Sequence, residues 1–483
     1  MKKYLVIPLI IFFCLHVKAQ DLPRAILRGD YPDPSIMREG EDFYMTHSPF
    51  VYSPGFLIWH SKDLVNWKPI TRAMVDVVGS AMAPDLFKYK DKYYIYFPAA
   101  GTNWVIWANT IRGPWSKPID LKVRRIDPGH AVGEDGKRYL FVSAGGMVPL
   151  SDDGLSATGE MKDVYAGWEY PKNWITECMC LESPKITRKG DFYYMITAEG
   201  GTAGPATSHM AVVARSKSIF GPWENSPINP LVHTYSRDEK WWSKGHGTLI
   251  DDVNGNWWIV YHAYEKGYYT LGRQTLIEPV EWTAEGWPRI SQDKKLTTSK
   301  GNGLSLSDNF NSKHLNLQWT SWKGYDKNAI RFIDKKLQLD AKGNNPADAQ
   351  LLLTTATDTS YQVEVEVFLA DEGKGGLILF YNDKAYAGIV ADEKELTIYE
   401  DAKTQKNAVN SFGKHFFLNI KNERQTCDML VSKNGKDWTA LVSGLDVSKL
   451  NHNNFGGFFA LRPGLVSMGN NKVTFNNFSY KNE

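Results

Sequence analysis

Four carboxylates and one histidine, each heading a similar phrase, are the residues whose types and spacing could do chemistry in this chain. The phrases read DPSIMREGEDFYMTHS from Asp33, DLFKYKDKYYIYFPA from Asp85, DPGHAVGEDGKRYLFVSA from Asp127, ESPKITRKGDFYYMITA from Glu182 and HGTLIDDVNGNWWIVYHA from His246. Cleavage of a glycosidic bond asks for one carboxylic acid to protonate the leaving oxygen and one carboxylate to activate water or attack the sugar. The acid must keep its proton near neutral pH, which burial or a neighbouring negative charge achieves by raising its pKa. A third carboxylate can supply that charge. Asp33, Asp127 and Glu182 fit these roles by position and type, Glu182 having the longer reach. Taken singly, an Asp-Pro opens turns and a lone Glu is a solvated surface acid. Their equivalence within a repeat is what a turn or a surface site does not explain.

The elements that must position these heads follow from the rest of each phrase. After the head come a few apolar residues, a turn cluster (EGED, KDK, EDGK, RKGD, NGN) and an aromatic strand. Hairpins recurring roughly every 50 residues predict a β-propeller with one blade per copy. Equivalent positions then converge at one mouth of the central channel. Like charges gathered there are costly unless chemistry or a cation requires them. The 483 residues include 17 Trp, 24 Tyr and 22 Phe, a 13% aromatic share that suits an all-β protein and stacking on sugar rings. Most of these rings are expected in the core, with Trp104, Trp107, Trp241 and Trp242 as candidate stacking surfaces. A formal net charge of +2 gives no single-sign field and does not favour nucleic acid or an anionic membrane.

The chain divides further. Lys2 and Lys3 precede an apolar run from Tyr4 to Val17, and Val17-Lys18-Ala19 offers a cleavage site. Residues 1–19 therefore read as a signal peptide, implying export to the periplasm or the extracellular space. The run is too short for a membrane anchor, and bulky Phe12-Phe13 before Cys14 argue against lipidation. Residues 20–290 hold the five-bladed propeller. The polar stretch SQDKKLTTSKGNG, residues 291–303, reads as a linker. From residue 304 to 483 short alternating strands predict a β-sandwich of jelly-roll type. Cys178 and Cys180 are too close for an easy bridge within a strand; with Cys427 they are expected to be free, buried thiols. No Cys/His spacing suggests zinc.

Several of these phrases resemble glycoside hydrolase family 43: YPDPS at Tyr31–Ser35, the Asp-Pro at Asp127, LESPKI around Glu182, GHG at Gly245–Gly247, AEGGT from Ala198 and LGRQTLIEPVEWTAEGWP from Leu271. The resemblance covers most of residues 21–290. It implies an inverting glycosidase with Asp33 as general base, Glu182 as general acid and Asp127 tuning that acid. It also implies Arg273 on the sugar hydroxyls and His246 near a bound cation, often calcium, or its water; a histidine hydrogen-bonded in a crowded channel is the equal alternative. Asp85 is expected near the site without a chemical step. No cofactor is expected for the chemistry itself. GHAV after Asp127 and HAYEKGYY after Tyr261 depart from the family pattern. The expected substrate is a terminal pentose on plant polysaccharide or oligosaccharide, α-L-arabinofuranose ahead of β-D-xylose. The rivals are a retaining fructan hydrolase, disfavoured because YPDPSIM lacks the Asn of a WMNDPNG-like phrase, and a non-catalytic carbohydrate-binding protein, which would not need all three carboxylates.

Overall fold

The computed structural model describes residues 23–292, 303–402 and 405–482. The expected signal peptide and residues 293–302 of the expected linker lie outside them. Each repeated phrase forms the inner part of one antiparallel blade, because its turn cluster closes a hairpin between two strands rich in aromatic and β-branched residues. The first strands of the blades are Ser35–Glu39, Asp85–Tyr89, Gly129–Val132, Glu182–Lys189 and Trp241–Asp251. Blades 1 to 4 then run outward in chain order, to Lys68–Met74, Ile119–Asp120, Lys162–Asp163 and Glu224–Asn225. Blade 5 is completed from the other end of the domain. The strand Arg24–Leu27, which precedes blade 1, pairs antiparallel with Gln274–Trp282. This ties the start of the ring to its end, so blade 1 cannot drift from blade 5 without breaking a strand pair.

The space between blades is filled by large side chains. Phe43, Trp59 and Trp67 pack with Trp258 and Val260 between blades 1 and 5, and Tyr96 and Val105 pack with Leu140 and Val148 between blades 2 and 3. The C-terminal unit is a sandwich of a seven-stranded and a six-stranded antiparallel sheet. Alternation in Ser360–Leu369 (SYQVEVEVFL) sends every second residue into its core. The sandwich is joined to the propeller by a strand pair, Ser321–Trp322 with Tyr52–Ser53, and by a buried ion pair, Arg462 Nη2 to Asp30 Oδ2 at 3.2 Å. No described helix is long and apolar enough to cross a membrane.

Candidate active site

Three of the five heads share a left-handed backbone conformation. Asp33, Asp127 and His246 lie at φ of 56°, 59° and 58°, and in blade 4 the left-handed residue is Ser183, next to Glu182, at 55°. Non-glycine residues adopt this region at a cost and do so mainly where surrounding structure enforces it. Here the enforcement is crowding at the axis. A Cβ on Gly129 would lie 1.6 Å from the Pro184 carbonyl oxygen of the next blade, and one on Gly245 would lie 2.0 Å from the His209 ring. The small residue after Asp127-Pro128, where the family pattern has a bulkier run, is thus required by blade 4.

Asp33 is buried and held from four directions. Its Oδ1 accepts from Arg273 Nη1 at 2.8 Å and lies 3.2 Å from His262 Nδ1 and 3.5 Å from His246 Nδ1. Its Oδ2 accepts from Ser48 Oγ, and its backbone N–H donates to His262 Nδ1 at 3.1 Å. Burial pushes this carboxyl upward, but the Arg273 guanidinium outweighs it and holds Asp33 well below the usual carboxylate range. It is ionised.

Glu182 has the opposite setting. Dense packing around it, then the negative charges of Asp127 and Asp33, raise its pKa well above the ordinary value. Asp127, also buried, is pushed up to about 7 by burial and by Asp33, against the opposing pull of Lys185, Arg273 and the Ser183 backbone N–H. Of this coupled pair Glu182 is the group that keeps the proton. Two carboxyl groups are thus driven to opposite protonation states, the arrangement that marks an acid and a base.

His246 stands among all three, with Nδ1 3.9 Å from Asp127 Oδ2. Donor atoms of Asp33, His246 and His262 lie within 4.8 Å of one another, as do those of Glu182, His209 and His246. This donor set does not fit calcium, which takes about six to eight oxygen ligands. It is rich in imidazole nitrogen, and its Asp33 carboxylate is already neutralised by Arg273. Burial holds His246 well below its ordinary pKa, so the ring is neutral.

Other expected residues take structural parts. Asp85 is a clamp rather than a sugar ligand: its Oδ1 accepts from Lys185 Nζ at 2.9 Å and its Oδ2 from the His130 backbone N–H at 2.7 Å. Lys185 Nζ also donates to the carbonyls of Pro84 and Pro128, both at 2.9 Å. Blades 2 and 4 therefore grip the chain on the C-terminal side of Asp127, at Pro128 and His130. Removing one partner of a buried ion pair strands the other's charge. Lys185→Met is accordingly expected to destabilise the fold by about 3–5 kcal/mol in urea titration, and Asp85→Leu in the same chain to recover most of that loss.

Trp241 is a core residue, 5% exposed and packed with Ile259, Tyr261 and Leu276, so it is no stacking surface. Trp104 leans on the core between blades 1 and 2, its Nε1 donating to the Ala99 carbonyl at 3.0 Å. Cys178 and Cys180 form a disulfide, contrary to expectation. They lie in a loop, not a strand, and Cys180 at a φ of 40° turns the chain to a Cα–Cα separation of 5.3 Å. Cys427 is free and buried as expected.

Ser48, His209, His262, Lys185 and Phe458 were not anticipated. The first three come from positions other than the heads, and Phe458 comes from the sandwich, its ring 5.3 Å from the Arg273 guanidinium carbon. His262 lies in the second strand of the phrase headed by His246, Ser48 ends the phrase headed by Asp33 and Lys185 stands inside that headed by Glu182; His209 and Phe458 lie outside the repeats.

The geometry agrees with what the chain is similar to. The family model for Glycosyl hydrolases family 43 matches residues 22–288, and that for the Beta xylosidase C-terminal Concanavalin A-like domain matches residues 307–481. A xylan 1,3-beta-xylosidase of a Vibrio species is 31% identical over 317 residues, 56% of this chain and 57% of its own length. A non-reducing end alpha-L-arabinofuranosidase of Bacteroides ovatus is 29% identical over 419 residues, 76% of this chain and 75% of its own. The crystal structure of the BlXynB protein of Bacillus licheniformis superposes with a TM-score of 0.85 at 27% identity, covering 95% of this chain and 99% of that one. With a propeller matched across its whole length and the carboxylates gathered at its axis, the chain belongs to glycosyl hydrolase family 43.

Proposed function

We propose that this protein removes terminal pentoses from plant polysaccharides or oligosaccharides, acting from the chain end by an inverting mechanism. The observation that carries the proposal is the opposed setting of two carboxyl groups: Asp33 held ionised by Arg273, Glu182 held protonated beside Asp127. In this reading Asp33 takes a proton from water as it attacks the anomeric carbon, and Glu182 gives its proton to the departing oxygen. Asp127 keeps Glu182 protonated. Arg273, bonded to Asp33 through Nη1, orients that carboxylate, and in this reading the rest of its fork meets sugar hydroxyls.

α-L-Arabinofuranose is the favoured sugar, supported by the Bacteroides relative that spans three quarters of the chain and by the departures from the xylosidase pattern after Asp127 and Tyr261. The match of the sandwich to a β-xylosidase C-terminal domain supports β-D-xylose as a second reading. Release of nitrophenol from aryl α-L-arabinofuranoside, β-D-xyloside and fructoside separates these. The arabinofuranoside is expected to be the best substrate; cleavage of the fructoside alone would overturn the proposal. Export is part of the same reading. The Cys178–Cys180 bridge supports an oxidising compartment.

A further inference from the structure

Beside Glu182 a cavity of about 500 Å³ opens to the surface. Its walls are mostly apolar, with Ile126, Tyr165, Met179, Cys180 and Leu181 lining it together with Glu182 itself. Two of these side chains are unusually open for their type, Ile126 at 40% and Met179 at 38%. Apolar side chains gathered along the wall of an open cavity mark a surface that binds a ligand.

The wall containing Met179 is built to stay in place. Met179 lies between the two bridged cysteines, so closing the bridge fixes the chain on both sides of it. The same segment is fastened to the loop that follows the second strand of blade 4. The Gly200 backbone N–H donates to the Met179 carbonyl at 3.0 Å, and the Ala203 N–H to Glu177 Oε2 at 3.0 Å. Tyr170 Oη donates to the Cys178 carbonyl at 3.2 Å, and the Ala144 N–H to the Leu181 carbonyl at 2.7 Å, which anchors the far end on blade 3. Gly201 stands where a Cβ would meet Cys178 Sγ at 3.1 Å and Glu177 Oε2 at 2.5 Å, so the loop and the bridge are in close contact.

The occupant follows from the neighbour. An acid that protonates a glycosidic oxygen has the departing group on the far side of that oxygen. The cavity reached by Glu182 is therefore where the departing group lies, on the reading of Glu182 as acid. We propose that Ile126, Met179 and the Cys178–Cys180 bridge form the leaving-group subsite, and that it takes the apolar C–H face of a second, pyranose sugar. The bridge acts by holding Met179 against that face. These are specificity-determining residues: they bind the sugar that leaves and make no contact with the bond that breaks.

A pair of substrates isolates this subsite. A pentosyl fluoride fills only the site of the cleaved sugar, whereas the same pentose linked to a pyranose residue fills both. In Met179→Ser and Ile126→Ser, kcat/KM for the disaccharide relative to the fluoride is expected to fall about tenfold, the discrimination one lost apolar contact gives. The Cys178→Ser/Cys180→Ser double variant should show the same relative loss. Wild-type protein treated with dithiothreitol should follow it, the reagent's thiols being oxidised as the bridge opens, while the double variant should not respond. Equal losses on both substrates would make the segment a support for the fold, and no loss on either would leave the cavity without a role; both outcomes overturn the proposal. Wild-type protein inactive on arabinofuranosyl and xylosyl fluorides alike would instead remove the assignment of Asp33 and Glu182, and this proposal with it.

Discussion

Asp33→Asn is expected to lower kcat by at least about a hundredfold, because a positioned general base contributes about 10²–10⁴ in rate and an amide cannot take the proton from water. Size and most hydrogen-bonding capacity survive the change. Ser48 and the Asp33 backbone are still placed to bond as before, but Arg273 loses its anionic partner. Product affinity should therefore change much less than turnover. Stopped assays with an aryl pentoside give kcat, and inhibition by the free pentose gives affinity. Turnover near that of the wild type would exclude Asp33 from the mechanism.

The second large effect concerns Glu182. Protonation of the leaving oxygen matters in proportion to how poor the leaving group is. Glu182→Gln should therefore cost about a thousandfold or more on a disaccharide, and far less on a dinitrophenyl glycoside, which departs without a proton. In the wild type the alkaline limb of the kcat/KM profile reports deprotonation of Glu182. Asp127 raises Glu182 by its negative charge; replacing it with Asn removes that charge, lowers the pKa of the acid, and should move the limb to lower pH. A limb that stays in place in folded Asp127→Asn would exclude Asp127 as the tuning residue.

The sequence carries the propeller because its blades repeat, and a repeat states the same local physics five times. It also carries the three carboxylates and His246, since equivalent positions in a closed ring must converge. It is silent where partners come from different parts of the ring. Lys185 looks like an exposed strand cation until blade 2 places Asp85 against it, and this is why Asp85 reads as a site residue yet serves as a clamp. His209 lies outside the repeated phrases, and Ser48 ends its phrase where the other four end in Ala. Trp241 illustrates the opposite error: a tryptophan near an axial head suggests sugar stacking, but its strand turns it into the core between blades 4 and 5. The disulfide escapes the sequence for a related reason. Spacing along a strand forbids an easy bridge between Cys178 and Cys180, whereas the left-handed turn at Cys180 permits one. Phe458 belongs to a separate domain, and only docking of the sandwich on the propeller brings it to Arg273.

The assignment of Asp33 as base and Glu182 as acid is tested most directly by the stereochemistry of the product. One displacement by water turns over the anomeric centre once. Proton NMR of an aryl pentoside digested at high enzyme concentration resolves the first-formed anomer before mutarotation mixes the two. The product is predicted to appear with the anomeric configuration opposite to that of the bond cut, and no methyl glycoside should form when methanol is present. A first product of retained configuration, or transfer of the sugar to methanol, would show a covalent intermediate and make Asp33 a nucleophile instead of a base.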